Sequence, residues 1–149
     1  MKRSTLAYFT KYLLDFMFIT GIIVCLTVPL IFKQAGKYLP IIKENYIAFC
    51  IIFMLAGLFA MSILWNLRKM FKTVISGDPF VTDNVVSLKR MGIYSFVIAT
   101  LMGIRLFFAI TMTAMVLVIV FLIAGLFSLV LAQVFDRAVL YKLENDYTI

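Results

Sequence analysis

Apolar residues in this chain gather into long unbroken runs. They lack the alternating or one-sided patterns of soluble strands and helices. Four runs stand out: Tyr12–Phe32, Tyr46–Leu67, Met91–Ile110 and Ala114–Phe135. Each is close to the roughly 20 residues that cross a hydrocarbon layer about 30 Å thick. From Met91 to Phe135 the only charge is Arg105, and that stretch is too long for one crossing and suited to two. Backbone in lipid finds no water to bond, so each run must close its own hydrogen bonds as a helix. The short alternating strands of a membrane barrel are not seen. The pattern predicts an all-α, integral membrane four-helix bundle. It is a single domain with spans 12–32, 46–67, 91–110 and 114–135, a polar loop 68–90 and a tail 136–149.

Composition agrees: 64% of the 149 residues are hydrophobic and mean hydropathy is +1.09, where a soluble domain is about half apolar. The first run follows Lys2 and Arg3 as a secretion signal would. It is longer than the roughly 7–15 residue core of a signal, contains Asp15 and lacks a small-x-small cleavage site, so it is expected to stay as a span.

Charge placement predicts orientation. Lys2, Arg3, Lys11, Arg68, Lys69, Lys72, Lys89, Arg90, Arg137 and Lys142 fall on one side, ten of the 14 Lys and Arg, against Lys33, Lys37, Lys43 and Arg105. The basic side faces the cytoplasm, which places both termini there. The basic loop is expected to lie on anionic lipid headgroups of a bacterial cytoplasmic membrane, or to dock an acidic protein surface. Direct nucleic-acid binding is not expected, since no recognition motif is present. Trp65, Tyr8, Tyr12, Tyr38 and Tyr46 sit where headgroup anchors belong.

Several local features refine the bundle. Ser76-Gly77-Asp78-Pro79 is a turn cluster, after which Thr82 or Asp83 is placed to cap a helix entering the third span. Spans three and four need a tight turn near Thr111–Thr113, with either threonine as cap. Pro29 is expected to help end the first helix near its outer face, with a kink as the alternative. Small residues recur at helical spacing: Ala56 and Ala60; Ser95, Ala99 and Gly103; Ala124, Ser128 and Ala132. Such faces let helices approach closely in lipid, either within one bundle or between copies in a homo-oligomer.

Little reactive chemistry can be assembled. The chain has no histidine, the commonest general base near neutral pH. No nucleophile–base pair, phosphate loop or metal cluster emerges from its seven acidic residues, so neither an enzyme nor a cofactor is expected. Cys25 and Cys50 read as apolar thiols, with a disulfide as the alternative. Charges inside apolar segments are functional candidates by default. Asp15 has Lys11 four residues earlier on the same face and is expected to pair with it. Arg105 lies about 21 Å along the helix from Met91 and is expected to snorkel outward, too far from Asp15 for a bridge. Mid-span polarity amounts to little beyond Thr20, Thr100 and Ser128, which argues against a transporter. The fourth helix is expected to run on toward Glu144, its end either frayed and solvated or with the acids of the tail folded back onto the basic loop.

Two motifs then carry a resemblance. Gly77-Asp78-Pro79-Phe80 is followed by Asn84, Leu88-Lys89-Arg90 and Gly92; later come Phe135, Ala138 and a terminal Glu144-Asn145-Asp146-Tyr147-Thr148-Ile149. Together they resemble the DUF2975 family of small bacterial four-span membrane proteins, a domain of unknown function. Ala138 departs from the glycine expected there. The resemblance implies no activity. Members are often encoded beside a small helix-turn-helix regulator, which implies a cytoplasmic DNA-binding partner. Asp78, Pro79, Phe80, Asn84, Lys89, Arg90, Glu144 and Asp146 form the candidate docking surface, with Phe80 either an anchor for that partner or a seat for the turn. The alternative is a self-protection protein that binds a membrane-active peptide through Lys37, Tyr38 and Arg105.

Overall fold

The computed structural model describes residues 2–147, with side chains described from residue 5 to 146. Five helices follow one another: α1 (Lys2–Gly36), α2 (Pro40–Glu44), α3 (Tyr46–Ser76), α4 (Thr82–Phe108) and α5 (Met112–Tyr147). All but α2 are long and apolar enough to cross a membrane. No strand occurs among the described residues. Thr148 and Ile149, the end of the terminal motif, lie outside the described residues.

The helices outrun the apolar segments that seed them. At 1.5 Å per residue α3 is about 46 Å long and α5 about 54 Å, against a core of about 30 Å. The surplus is at the end that carries both termini. There α3 continues through Lys69 and Lys72 to Ser76, so the expected loop 68–90 is a helical hairpin with only residues 77–81 outside helix. Pro29 does not end α1, which continues to Gly36. A proline inside a lipid-facing helix removes one hydrogen bond, whereas abandoning the helix would expose many. The Tyr46 hydroxyl donates to the Pro29 carbonyl at 3.0 Å and ties α3 to this stretch of α1. The connection between them holds the unforeseen α2, started by Pro40 in the first helical turn.

Packing follows chain order: α1 on α3, α3 on α4, α4 on α5. No Cα of α1 comes within 8 Å of α4 or α5 among the described residues, so the four long helices form a row and not a closed four-cornered bundle. α4 is the most buried of the four. Ile52 and Ala56 of α3 meet Ile98 and Met102 of α4, with Leu117, Val118 and Phe121 of α5 packed against them. The outer flank of α1 presents Phe9, Phe16, Ile23 and Leu30, and that of α5 presents Leu126, Phe127 and Val130, apolar faces suited to lipid.

Small residues set the closest approach, in a register shifted from the expected one. A Cβ on Gly92 would meet the Leu129 side chain at 2.8 Å and the Gly125 carbonyl at 3.2 Å; one on Gly125 would meet Phe96 at 2.9 Å and the Gly92 carbonyl at 3.1 Å. Ser95, Ala99, Ser128 and Ala132 are buried along this seam, and Ala56 is buried in the α3–α4 core with Ala60 beside it. Ala124 is exposed, and Gly103 faces open space. Neither is a packing residue: Gly103 lies about 16 Å along α4 from the crossing at Gly92, and Ala124 is one residue out of phase with Gly125. The Ser128 hydroxyl donates to the Leu88 carbonyl of α4 at 2.7 Å, locking the register. On the other side of α3, Gly57 meets Cys25 Sγ, and Gly21 meets Met61. Both cysteines are free thiols. Cys25 packs two turns, about 10 Å, from Cys50 along α3, beyond disulfide reach.

Substituting Gly125 with Val should lower stability by about 1–3 kcal/mol through overpacking, whereas Gly103→Ala should leave it unchanged or slightly raised. Thermal unfolding of the detergent-solubilised chain reads the difference.

Candidate functional site

The helical hairpin at the termini-bearing end is the most elaborately braced part of the molecule. It begins where α3 stops at Gly77, whose φ of +90° is reached readily only by glycine. The Gly77 amide donates to Val74 O at 3.2 Å and the Asp78 amide to Thr73 O at 3.1 Å, a Schellman ending that satisfies the last carbonyls of α3. Pro79 then keeps the helix from resuming.

The next brace is Asn84. It is 3% exposed, and its Nδ2 donates to Pro79 O at 2.6 Å and to Thr73 Oγ1 at 2.7 Å. One amide therefore clamps the turn to both flanking helices, which removes Asn84 from the candidate docking surface. The expected cap is absent: α4 has Val81 in extended conformation at its N-cap with no side-chain bond, and neither Thr82 nor Asp83 serves.

The turn is finally pinned to α5. Phe80 packs edge-on against Phe135, centroids 5.2 Å apart, while remaining 41% exposed. Lys142 forms an ion pair with Asp78. The sign is opposite to that expected for the tail: a tail base meets an acid of the turn, while Glu144 and Asp146 stay exposed. Lys89 and Arg90 are also exposed. Of the candidate surface, Asp78, Pro79 and Phe80 are thus held beside the α5 extension, with Lys89 and Arg90 farther along α4.

The two intramembrane charges have found partners that sequence reasoning missed. Asp15 pairs with Arg68, not Lys11, at 2.7 Å. The Arg68 guanidinium also lies 4.7 Å from the Phe18 ring centroid and 5.5 Å from that of Trp65. An acid one turn into a span demands a cation, and the neighbouring helix supplies one whose guanidinium is flanked by two aromatic rings. Arg105 does not simply snorkel. It donates to Thr111 Oγ1 at 3.0 Å and lies over Phe49 and Phe53, at 5.4 and 5.1 Å from their centroids. Thr111 in turn accepts from the Ala114 amide and caps α5, one of the two expected threonines; the turn itself occupies residues 109–111.

Two clefts open beside the hairpin. One, of about 470 Å³, is lined by Lys69, Lys72, Thr73, Asp83, Asn84 and Arg90 among others. The second, of about 430 Å³, lies between α1, α3 and α4 and is lined by Phe18, Leu58, Trp65, Asn66, Lys69, Arg90 and Tyr94 among others. Asn66 is 4% exposed; its Nδ2 donates to Ser62 O at 2.8 Å, and its Oδ1 has no partner among the described residues. A buried unpaired acceptor costs about 1–3 kcal/mol. At the opposite end a larger cavity of about 820 Å³ is bordered by Lys33, Lys37 and Lys43 with Phe32, Tyr38 and Tyr46. Cations and aromatic rings border openings at both ends.

Asn84→Ala should destabilise by about 1–3 kcal/mol, since Pro79 O and Thr73 Oγ1 lose their shared donor, and hydrogen exchange should accelerate first at the 77–81 amides. Arg68→Gln should cost about 1 kcal/mol, with much of the loss recovered in the double variant Asp15→Asn/Arg68→Gln. Thermal midpoints of the three proteins check this.

No curated protein and no solved structure is significantly similar to the chain. A family model matches residues 10–149, nearly its whole length, and the chain belongs to that family, described as a protein of unknown function, DUF2975.

Proposed function

We propose that this protein is a membrane-embedded docking platform that holds or tunes a small helix-turn-helix regulator on the cytoplasmic face of a bacterial inner membrane. The reading rests on one observation. The Asp78–Lys142 ion pair and the Phe80–Phe135 contact join the α3–α4 turn to the α5 extension, so two segments distant in sequence present one preformed surface. A surface already ordered loses less entropy when a partner binds. Orientation is supported by the ten Lys and Arg at this end against four at the other. The surface offers the exposed cations Lys89 and Arg90 and the exposed acids Glu144 and Asp146, together with the half-exposed ring of Phe80. Mixed charges of this kind select a partner and set its approach rate more than its affinity. The class of partner comes from the family resemblance.

The self-protection reading retains one supporting observation, the lysine-bordered cavity containing Lys37 and Tyr38 at the opposite end. Arg105, its third residue, packs on Phe49 and Phe53.

The full chain, purified from gently solubilised native membranes, should retain a small helix-turn-helix protein. A chain ending at Leu143, and the charge-reversed Glu144→Lys/Asp146→Lys variant, should lose it while still inserting. Mass spectrometry of the eluates reads the result, and a full chain that retains no such protein removes the proposal.

A further inference from the structure

We propose that the cleft between α1, α3 and α4 is a binding site for a diacyl phospholipid whose headgroup is anionic and carries hydroxyls. The lining of α3 changes character along one helical face, from Leu58 through Trp65 and Asn66 to Lys69. These positions fall at i, i+7, i+8 and i+11, a single stripe at 3.6 residues per turn. Acyl carbon fits the Leu58 end, the aromatic collar suits the ester region, and a phosphate fits the Lys69 end, where Arg90 of α4 supplies a second cation. This gradient is that of a lipid molecule, not of a soluble ligand.

Asn66 specifies the headgroup further. Its amide orientation is fixed, because Ser62 O can only accept and must face Nδ2. The side chain is 4% exposed, and the unpartnered Oδ1 is an acceptor in want of a donor. A choline headgroup has no donor to give. A glycerol headgroup has two hydroxyls beside its phosphate and answers both the acceptor and the cations. The proposal does not depend on the docking platform: Arg90 is common to both, but Asn66, which selects the headgroup, is no part of that surface.

Native mass spectrometry of the full chain in detergent, titrated with defined lipids, tests it. Phosphatidylglycerol should bind more tightly than phosphatidylmethanol, which has the same charge and no headgroup hydroxyl, and both should exceed phosphatidylcholine. Asn66→Leu should erase the advantage of phosphatidylglycerol over phosphatidylmethanol, a loss of about tenfold. Arg90→Gln, at an exposed position, should weaken both anionic lipids together and preserve their ratio. Lys89→Gln, exposed but outside the cleft, should change neither. Equal binding of phosphatidylglycerol and phosphatidylmethanol by the unsubstituted chain overturns the proposal, and that comparison stands even if Asn66→Leu fails to fold. A Lys89→Gln effect as large as that of Arg90→Gln overturns it as well, in favour of diffuse surface attraction. Saturable binding of glycerol 3-phosphate in place of lipid would assign the cleft to a soluble phosphate and overturn the lipid assignment.

Discussion

The seam between α4 and α5 is the contact on which the arrangement of the molecule depends. Lipid gives no hydrophobic drive for helices to associate, so association must come from packing and hydrogen bonds. At Gly92 and Gly125 a Cβ on either residue would crowd the other's carbonyl at 3.1–3.2 Å, and Ser128 donates across to Leu88. That register places Phe135 opposite Phe80 and brings Lys142 to Asp78. The turn at residues 77–81 is therefore built from outside as well as from within. Glycine at position 77 and the clamp of Asn84 shape it, and α5 holds it.

A row of helices has consequences that a closed bundle lacks. With α1 touching only α2 and α3 among the described residues, and α5 packed chiefly on α4, wide apolar flanks remain for lipid on both sides. Polar groups then collect at the two ends. At the termini-bearing end Asp15, Arg68, Phe18 and Trp65 join α1 to α3, and at the other Arg105 and Thr111 join α4 to the start of α5. These charges work as end fasteners. Asp15 and Arg105 lie at opposite ends and do not meet, in keeping with the depth difference evident from their positions along the spans.

The two clefts at the end where basic side chains are concentrated share Lys69 and Arg90: one lies between α1, α3 and α4, the other between α3 and α4 alone.

The all-helical class, the four long apolar helices and the position of the 77–81 turn were legible in the residues. Run length and backbone satisfaction in lipid leave no other solution, and Gly77 followed by Asp78 and Pro79 stops a helix by local chemistry alone. A threonine cap for α5 was legible too, though only the structure chose Thr111 over Thr113. Tertiary structure decided everything that depends on which helix faces which. Several residues of each span are small, and only the crossing point selects Gly92 and Gly125 over Gly103 and Ala124. An acid in a span announces its need for a cation but not the source, so Arg68 became visible only once α3 lay beside α1. Asn84 looked like a surface residue and is a buried clamp, because hydrogen bonding compensates for its burial once Thr73 and the Pro79 carbonyl converge on it. Local chemistry is written in the sequence; partners across helices are fixed by the register of packing.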